Sequence, residues 1–226
     1  MVAAAQQARV KKVLQMSFLR ARPNCGSGYH ESKWAAEEII LGGGLDYTIL
    51  KAGVIYGKGD HMLDHLSGPF CTLPIYGVVG MKSQPVRPAA VADIVAIIEA
   101  ALLENCLSRQ TVAVVGPEEM SCSHAVKRVA RVMGKHPLIL PMPLFFHYAL
   151  AAIAEKTMKV PIVSKAQVRI LSEGVAEALP PCDQLPDDLL PATAFTDEQI
   201  RQGLPEPHRL GPKDCRCTPS PTGACQ

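Results

Sequence analysis

The 226-residue chain lacks a strong charge of either sign, is poor in aromatics and has no long apolar run. Lys and Arg number 23 against 21 for Asp and Glu, a formal net charge of +2. So small a balance gives no argument for a nucleic-acid partner or an anionic membrane partner. Aromatics make up 5%, which argues against a base-stacking surface. The most apolar stretch, PLILPMPLFFHYALAAIA at 137–154, carries three prolines and a histidine. Its uninterrupted part is shorter than the roughly 20 residues of a membrane span, which predicts no transmembrane segment and a buried or surface-lying helix at 144–154. The start, MVAAAQQARVKK, has no apolar core behind a basic end, so no signal peptide is expected. No internal repeat is visible, and neither GxGxxG nor GxxGxxG occurs. Cys25, Cys71, Cys106 and Cys122 stand singly among apolar or turn residues, the habit of free thiols. These features point to a reducing, cytoplasmic compartment, with association at a membrane surface left open by the 144–154 helix.

What is present is an alternation of strand and helix signals in a chain that is 48% hydrophobic and 19% charged. A helix at 2–10 precedes a short strand at 11–17, then a loop with Pro23, Asn24, Gly26 and Gly28. Tyr29 to Leu41 has one apolar face and ends at three glycines, 42–44. A β-rich run follows at 45–56, a short helix at 61–67 and an extended segment at 86–91. Asp93 is placed to cap the helix IVAIIEAALL. TVAVV at 111–115 reads as a strand, and SCSHAVKRVARVMG as a helix opened by Ser and closed by Gly. The alternation predicts an α/β fold: a partial Rossmann-like parallel sheet with flanking helices, a smaller helical C-terminal part and a Pro-rich tail. The expected divisions are 1–116, 117–202 and a poorly ordered 203–226. Nine of the 19 prolines lie in 180–226.

The residues that carry chemistry are Tyr29 and Lys33. Four positions apart on a helix, they share a face. A phenol titrates near 10 and is a poor base at neutral pH. A neighbouring ammonium lowers that value, so the pair can exchange a proton with an alcohol or carbonyl. Ser17 ends the preceding strand, where functional groups of parallel sheets gather. It is placed to bond the same substrate oxygen. The bland alternatives are an exposed Tyr/Lys pair and a turn hydroxyl satisfying local backbone.

The run VKKVLQMSFLRARPNCGSGYHESKWAAEEIILGGGLDYTILKAGVIYGKGD, together with PVRPAAVADIVAII, resembles the second half of an extended or atypical short-chain dehydrogenase/reductase. Within that superfamily it is most similar to the NAD(P)-binding epimerase/dehydratase-like group that includes the 39-kDa-type accessory subunit of respiratory complex I. The resemblance implies that Tyr29 is the proton donor and acceptor, that Lys33 bonds the nicotinamide ribose and tunes Tyr29, and that Ser17 orients the substrate oxygen. It implies that Ala52, Gly53, Val54 and Ile55 pass close to the nicotinamide of NAD or NADP. Lys51-Ala52 stands where the family commonly has Arg-Pro. Aligned on the family, the first four strands, with the glycine-rich loop that cradles the diphosphate, are expected to be missing from this sequence. A sheet without them would present an unpaired apolar edge.

Other clusters are weaker. His61 and His65, beside Asp60 and Asp64, have the spacing of a two-ligand metal site but no identifiable third ligand, so no metal is expected. Cys215, Cys217 and Cys225 lie too close together in the Pro-rich tail for a usual zinc pattern. Lys127, Arg128 and Arg131 read as a solvated face. Three functions remain open at this point. One is an NAD(P)-dependent oxidoreductase or epimerase/dehydratase-like enzyme acting on a small-molecule substrate. The second is a non-catalytic nucleotide-binding or scaffold protein with a protein partner or a second copy of itself. The third is an inactive fragment.

Overall fold

The computed structural model describes residues 2–207, 209–211, 214 and 215. The elements run α1 (Val2–Gln7), β1 (Lys12–Phe18), α2 (Gly28–Leu41), β2 (Asp46–Ala52), β3 (Ile55–Tyr56), α3 (His61–Thr72), β4 (Ile75–Val79), β5 (Pro85–Val86), β6 (Ala89–Ala90) and α4 (Val91–Leu103). They continue with β7 (Gln110–Val114), β8 (Met120–Ser121), α5 (Cys122–Val132), β9 (Leu138–Met142), α6 (Leu144–Thr157), α7 (Lys165–Glu173), β10 (Asp183–Gln184), a 3-10 turn at Asp187–Leu189 and α8 (Asp197–Gly203).

The main sheet has the order β1-β2-β7-β10 and is parallel throughout. Its register brings Phe18, Ala52 and Val114 side by side, so the carboxyl ends of three strands finish level. Strand alternation sends Leu14, Met16, Leu50, Ala52, Val112 and Val114 to one face, where Ile94, Ile97 and Ala101 of α4 complete an apolar core. Ser17 and Lys51 point to the other face, beneath α2. A helix on each face is the arrangement a parallel sheet requires. Among the described residues no strand pairs with the outer side of β1.

A second core joins α3, α5 and α8. Leu63, Leu66, Phe70, Val126, Val129, Ile200 and Phe195 pack around Tyr56, whose hydroxyl donates to the Ala194 carbonyl at 2.9 Å. Two-stranded ribbons, β3-β6, β4-β9 and β5-β8, link this core to the sheet.

The expected parallel α/β architecture with flanking helices is what the chain forms. Local details differ for physical reasons. The run at 45–56 breaks at Gly53-Val54, where Gly53 N–H reaches across to the Val114 carbonyl and β3 turns away to pair with β6. Asp93 does not cap α4. It lies inside the first turn, and its carboxylate accepts from Thr193 N–H and Thr193 Oγ1, fastening the C-terminal segment to α4. Ser121 does cap α5, accepting from His124 N–H. The helix at 61–67 runs on to Thr72 through Pro69, and Asp60 caps its start by accepting from Leu63 N–H. Of the tail beginning at 203, residues 208, 212, 213 and 216–226 lie outside the described residues. They include Cys217 and Cys225.

Candidate active site at the carboxyl ends of β1 and β2

The helix that carries Tyr29 and Lys33 starts at a tight loop. Ser27 is extended, and its hydroxyl is taken by His30 Nδ1 at 2.7 Å instead of capping a backbone N–H. Glu31 compensates by accepting from Gly26 N–H at 2.9 Å. Tyr29 therefore begins the helix directly above the end of β1. Its ring meets Phe18 edge-on at 5.4 Å, and Phe18 also meets His30 at 5.0 Å. The phenol stays 39% exposed.

Tyr29, Lys33 and Glu37 follow one another on successive turns along the face turned to β1. The Lys33 ammonium donates to the Met16 carbonyl at 3.2 Å. Leu19 N–H bonds Ala52, so alternation turns the backbone of Ser17 and Gln15 toward β2 and that of Met16 outward. Lys33 thus satisfies an outward carbonyl of the edge strand, and Gln15 Nε2 shares that acceptor at 3.5 Å. Lysine at an edge strand is also a familiar guard against unwanted pairing. The Tyr29 phenol is shifted upward from its ordinary value because burial disfavours the phenolate. The expected lowering by Lys33 is therefore not seen: the ammonium is committed to backbone, and desolvation of the ring governs the direction.

Ser17 is buried, and its hydroxyl donates to the Glu37 carboxylate beneath α2. The other Glu37 oxygen pairs with Lys51 Nζ at 3.1 Å, and side chains on both sides of that pair are almost wholly buried, 2% and 3% exposed. Lys51 also donates to the Ala21 carbonyl at 3.2 Å and lies 5.6 Å from the centre of the Trp34 ring. The Ser17 hydroxyl thus serves an internal ion pair. Glu37, and its pairing with Lys51, is the part of this neighbourhood that the sequence pattern did not point to. The one available signal was a lysine inside the apolar strand DYTILKA.

Ala52, Gly53, Val54 and Ile55 sit one strand over, at the end of β2 and the start of β3. The space a side chain at Gly53 would occupy is bounded by Val175, with Cγ1 at 3.2 Å and the carbonyl oxygen at 3.4 Å, and by Leu19. Its missing side chain therefore admits Val175 from the segment after α7. Near His30, three arginines converge on one acid. Glu173 of α7 pairs with Arg22 at 2.8 Å, Arg169 at 2.6 Å and Arg20 at 3.4 Å. Burial alone would raise the Glu173 carboxyl, but the hydrogen bond from Arg22 and the charges of Arg22 and Arg169 hold it below its usual range. His30, fully buried with Nε2 unpartnered, is shifted down by burial; Glu173 opposes that shift and the arginines add to it. The described residues contain no group of three or more His, Cys, Asp or Glu side chains placed to hold a metal, and the His61 side chain lies outside the described residues.

A parallel sheet with helices on both faces defines a Rossmann-like α/β fold. Solved structures share it. Triphenylmethane reductase from Citrobacter sp. matches with a TM-score of 0.66 at 18% identity, over 90% of this chain and 68% of that one. The same enzyme complexed with NADP(H) gives 0.64. A nucleoside-diphosphate-sugar epimerase from Staphylococcus aureus matches at 0.59 and 15% identity, over 89% and 67%. UDP-glucose 4-epimerase of Thermus thermophilus, in complex with NAD, matches at 0.54 and 17% identity, over 89% and 65%. The chain spans about two thirds of these structures. No family model matches it.

Two outcomes test the site's construction. Removing one partner of a buried pair strands the other charge, so Lys51→Met or Glu37→Leu alone is expected to cost about 3–5 kcal/mol in urea unfolding. The double variant is expected to recover most of that loss; additive losses would show that the two groups do not act as a pair. The second outcome concerns His30, whose folded-state pKa is depressed. Its contribution is present above the unfolded value near 6.5 and is lost as pH falls below it. The urea midpoint should therefore drop between about pH 7.5 and pH 5.5. Glu173, also depressed, acts only below about 4.5. His30→Asn should flatten that drop, and an unchanged slope in the variant would remove His30 as its cause.

Proposed function

We propose that the chain carries the proton-transfer part of a nicotinamide-dependent oxidoreductase or epimerase/dehydratase-like site. Tyr29 is the proton donor and acceptor. The observation that supports this most directly is the placement of its half-exposed phenol over the carboxyl end of β1, with the Lys33 ammonium one turn behind it on the same helix face. NAD or NADP is the proposed cofactor, by likeness to the neighbours whose structures contain one or the other. When bound, it would supply the hydride.

The side chains present fit the nicotinamide end of such a group in part. Lys33 is held by a backbone carbonyl alone among the described contacts, which a ribose hydroxyl can replace. Ala52, Val54 and Ile55 lie at the adjoining strand ends, while the volume at Gly53 belongs to Val175. The sequence contains no glycine-rich loop for the diphosphate. The Tyr29 phenol, shifted upward from its ordinary value by burial, is proposed to donate a proton to a substrate oxygen, the direction of carbonyl reduction. Ser17 then acts through Glu37, holding the helix that carries Tyr29. Within the superfamily, the run from Val10 to Asp60 supports placing the chain nearest the complex I 39-kDa-type group.

The test is a titration with NADH and NADPH followed by turnover of a carbonyl substrate panel. Tyr29→Phe is expected to lower turnover by roughly 10²–10⁴-fold while leaving nucleotide affinity nearly unchanged. Full turnover in that variant would remove Tyr29 from the chemistry. Binding of neither nucleotide at millimolar concentration would overturn the enzymatic function for this chain.

A further inference from the structure

We propose that the outward face of α6, with the adjoining face of the β4-β9 ribbon, docks on an anionic lipid bilayer. The helix is turned the opposite way from an ordinary surface helix. Its inward side is small or polar: His147, Ala151 and Ala154 are buried. Its outward side holds Phe145, Phe146, Leu150 and Ile153, with Phe145 74% and Ile153 60% exposed. Surface helices place their large apolar residues inward, and a helix apolar all round belongs in a core or a lipid environment.

This roll is fixed by packing. Ala151 sits against Val79 of β4 and Val168 of α7, backed by Tyr148 and Leu171. His147 Nε2 lies 3.3 Å from the Gly77 carbonyl, and Gly77 has no side chain to hold the helix off. Gly77 pairs with Leu140 in the ribbon, so the ribbon face that α6 touches also carries Ile75, Leu138 and Leu140. All three are exposed, and they extend the apolar surface beyond the helix. Single exposed apolar residues are ordinary, but a contiguous patch marks an interaction site.

The charge around the patch identifies the occupant. Residues 121–172 contain eight Lys and Arg against one acid, Glu155, while the rest of the chain has fifteen against twenty. The small net charge therefore conceals a strongly segregated basic segment. Arg128, Arg131 and Arg169 are paired with acids. Lys135, Lys156, Lys159 and Lys165 are exposed and make no ion pair among the described contacts. Lys156 continues the outward face of α6 one turn beyond Ile153. Lys82 lines, with Leu144 and Phe145, a cavity of about 370 Å³ at the start of the helix. An apolar centre with a lysine rim matches an anionic bilayer, in which the rings and aliphatic side chains enter the headgroup boundary and the ammoniums meet lipid phosphates. A second copy on the same face would instead bring two lysine-rimmed surfaces together. No helix among the described residues is long and apolar enough to cross a membrane, so α6 lies in the interface plane.

The test uses the full chain with sucrose-loaded vesicles of phosphatidylcholine, with and without phosphatidylserine. Binding to the anionic vesicles is expected, declining with added salt. Phe145→Ser/Ile153→Ser and Lys82→Glu/Lys156→Glu are each expected to weaken it by roughly tenfold or more. These side chains are exposed, so the urea midpoint should hold, which separates lost docking from lost folding. Binding no stronger to anionic than to neutral vesicles would overturn the proposal, as would binding unmoved by either double variant. A wild-type dimer in sedimentation that Phe145→Ser/Ile153→Ser dissociates would assign the face to a second copy instead.

Discussion

Lys51 and Glu37 form an ion pair between a strand and the helix laid over it, almost fully removed from water. Desolvating two opposite charges costs several kcal/mol for each, and their attraction offsets that only when the remaining hydrogen-bonding capacity is met. Here it is met from three directions. Ser17 donates to Glu37, the Ala21 carbonyl accepts from Lys51, and the Trp34 ring faces the ammonium. Each partner comes from a different stretch: the end of β1, the loop behind it, the middle of α2 and the end of β2. The pair therefore fixes how α2 sits on the sheet. A helix rolled by one residue would turn Glu37 through about 100° and leave Lys51 buried alone. With Glu37 fixed, Lys33 and Tyr29 follow along the same stripe toward the strands' carboxyl ends.

What happens at that end follows from the edge of the sheet. The outward carbonyl of Met16 has no strand partner among the described residues, and Lys33 supplies a donor in its place. This draws the ammonium to the backbone and leaves desolvation to set the direction of the Tyr29 phenol. The proposed donor role for Tyr29 and the occupied state of Lys33 thus have one origin. The three arginines around Glu173 add a second anchor, joining the loop after β1 to α7 and packing the C-terminal segment against the site.

Much of this architecture was legible from local signals. The Tyr29–Leu41 helix, its glycine terminator and the strands on either side follow from periodicity and capping, which act over a few residues. The parallel sheet follows from their alternation. Contacts between distant segments were not legible. Lys51 reads as an oddity in an apolar strand until Glu37 is placed above it. Asp93 looks like a cap until Thr193, a hundred residues later, takes its carboxylate. Gly53 suggests room for a ligand until Val175 fills the space. The apolar 144–154 helix leaves a buried and a surface position open, and only packing against α7 shows that its large residues face outward.

The Lys51–Glu37 pair holds the Tyr29 helix in place on the sheet. Amide hydrogen exchange of the Lys51→Met variant tests it most directly, because protection is read segment by segment. Protection is expected to fall across Gly28–Leu41 and at the Ser17 end of β1, while Cys122–Val132 of α5 retains the wild-type pattern. Unchanged protection in Gly28–Leu41, or an equal loss in α5, would contradict it.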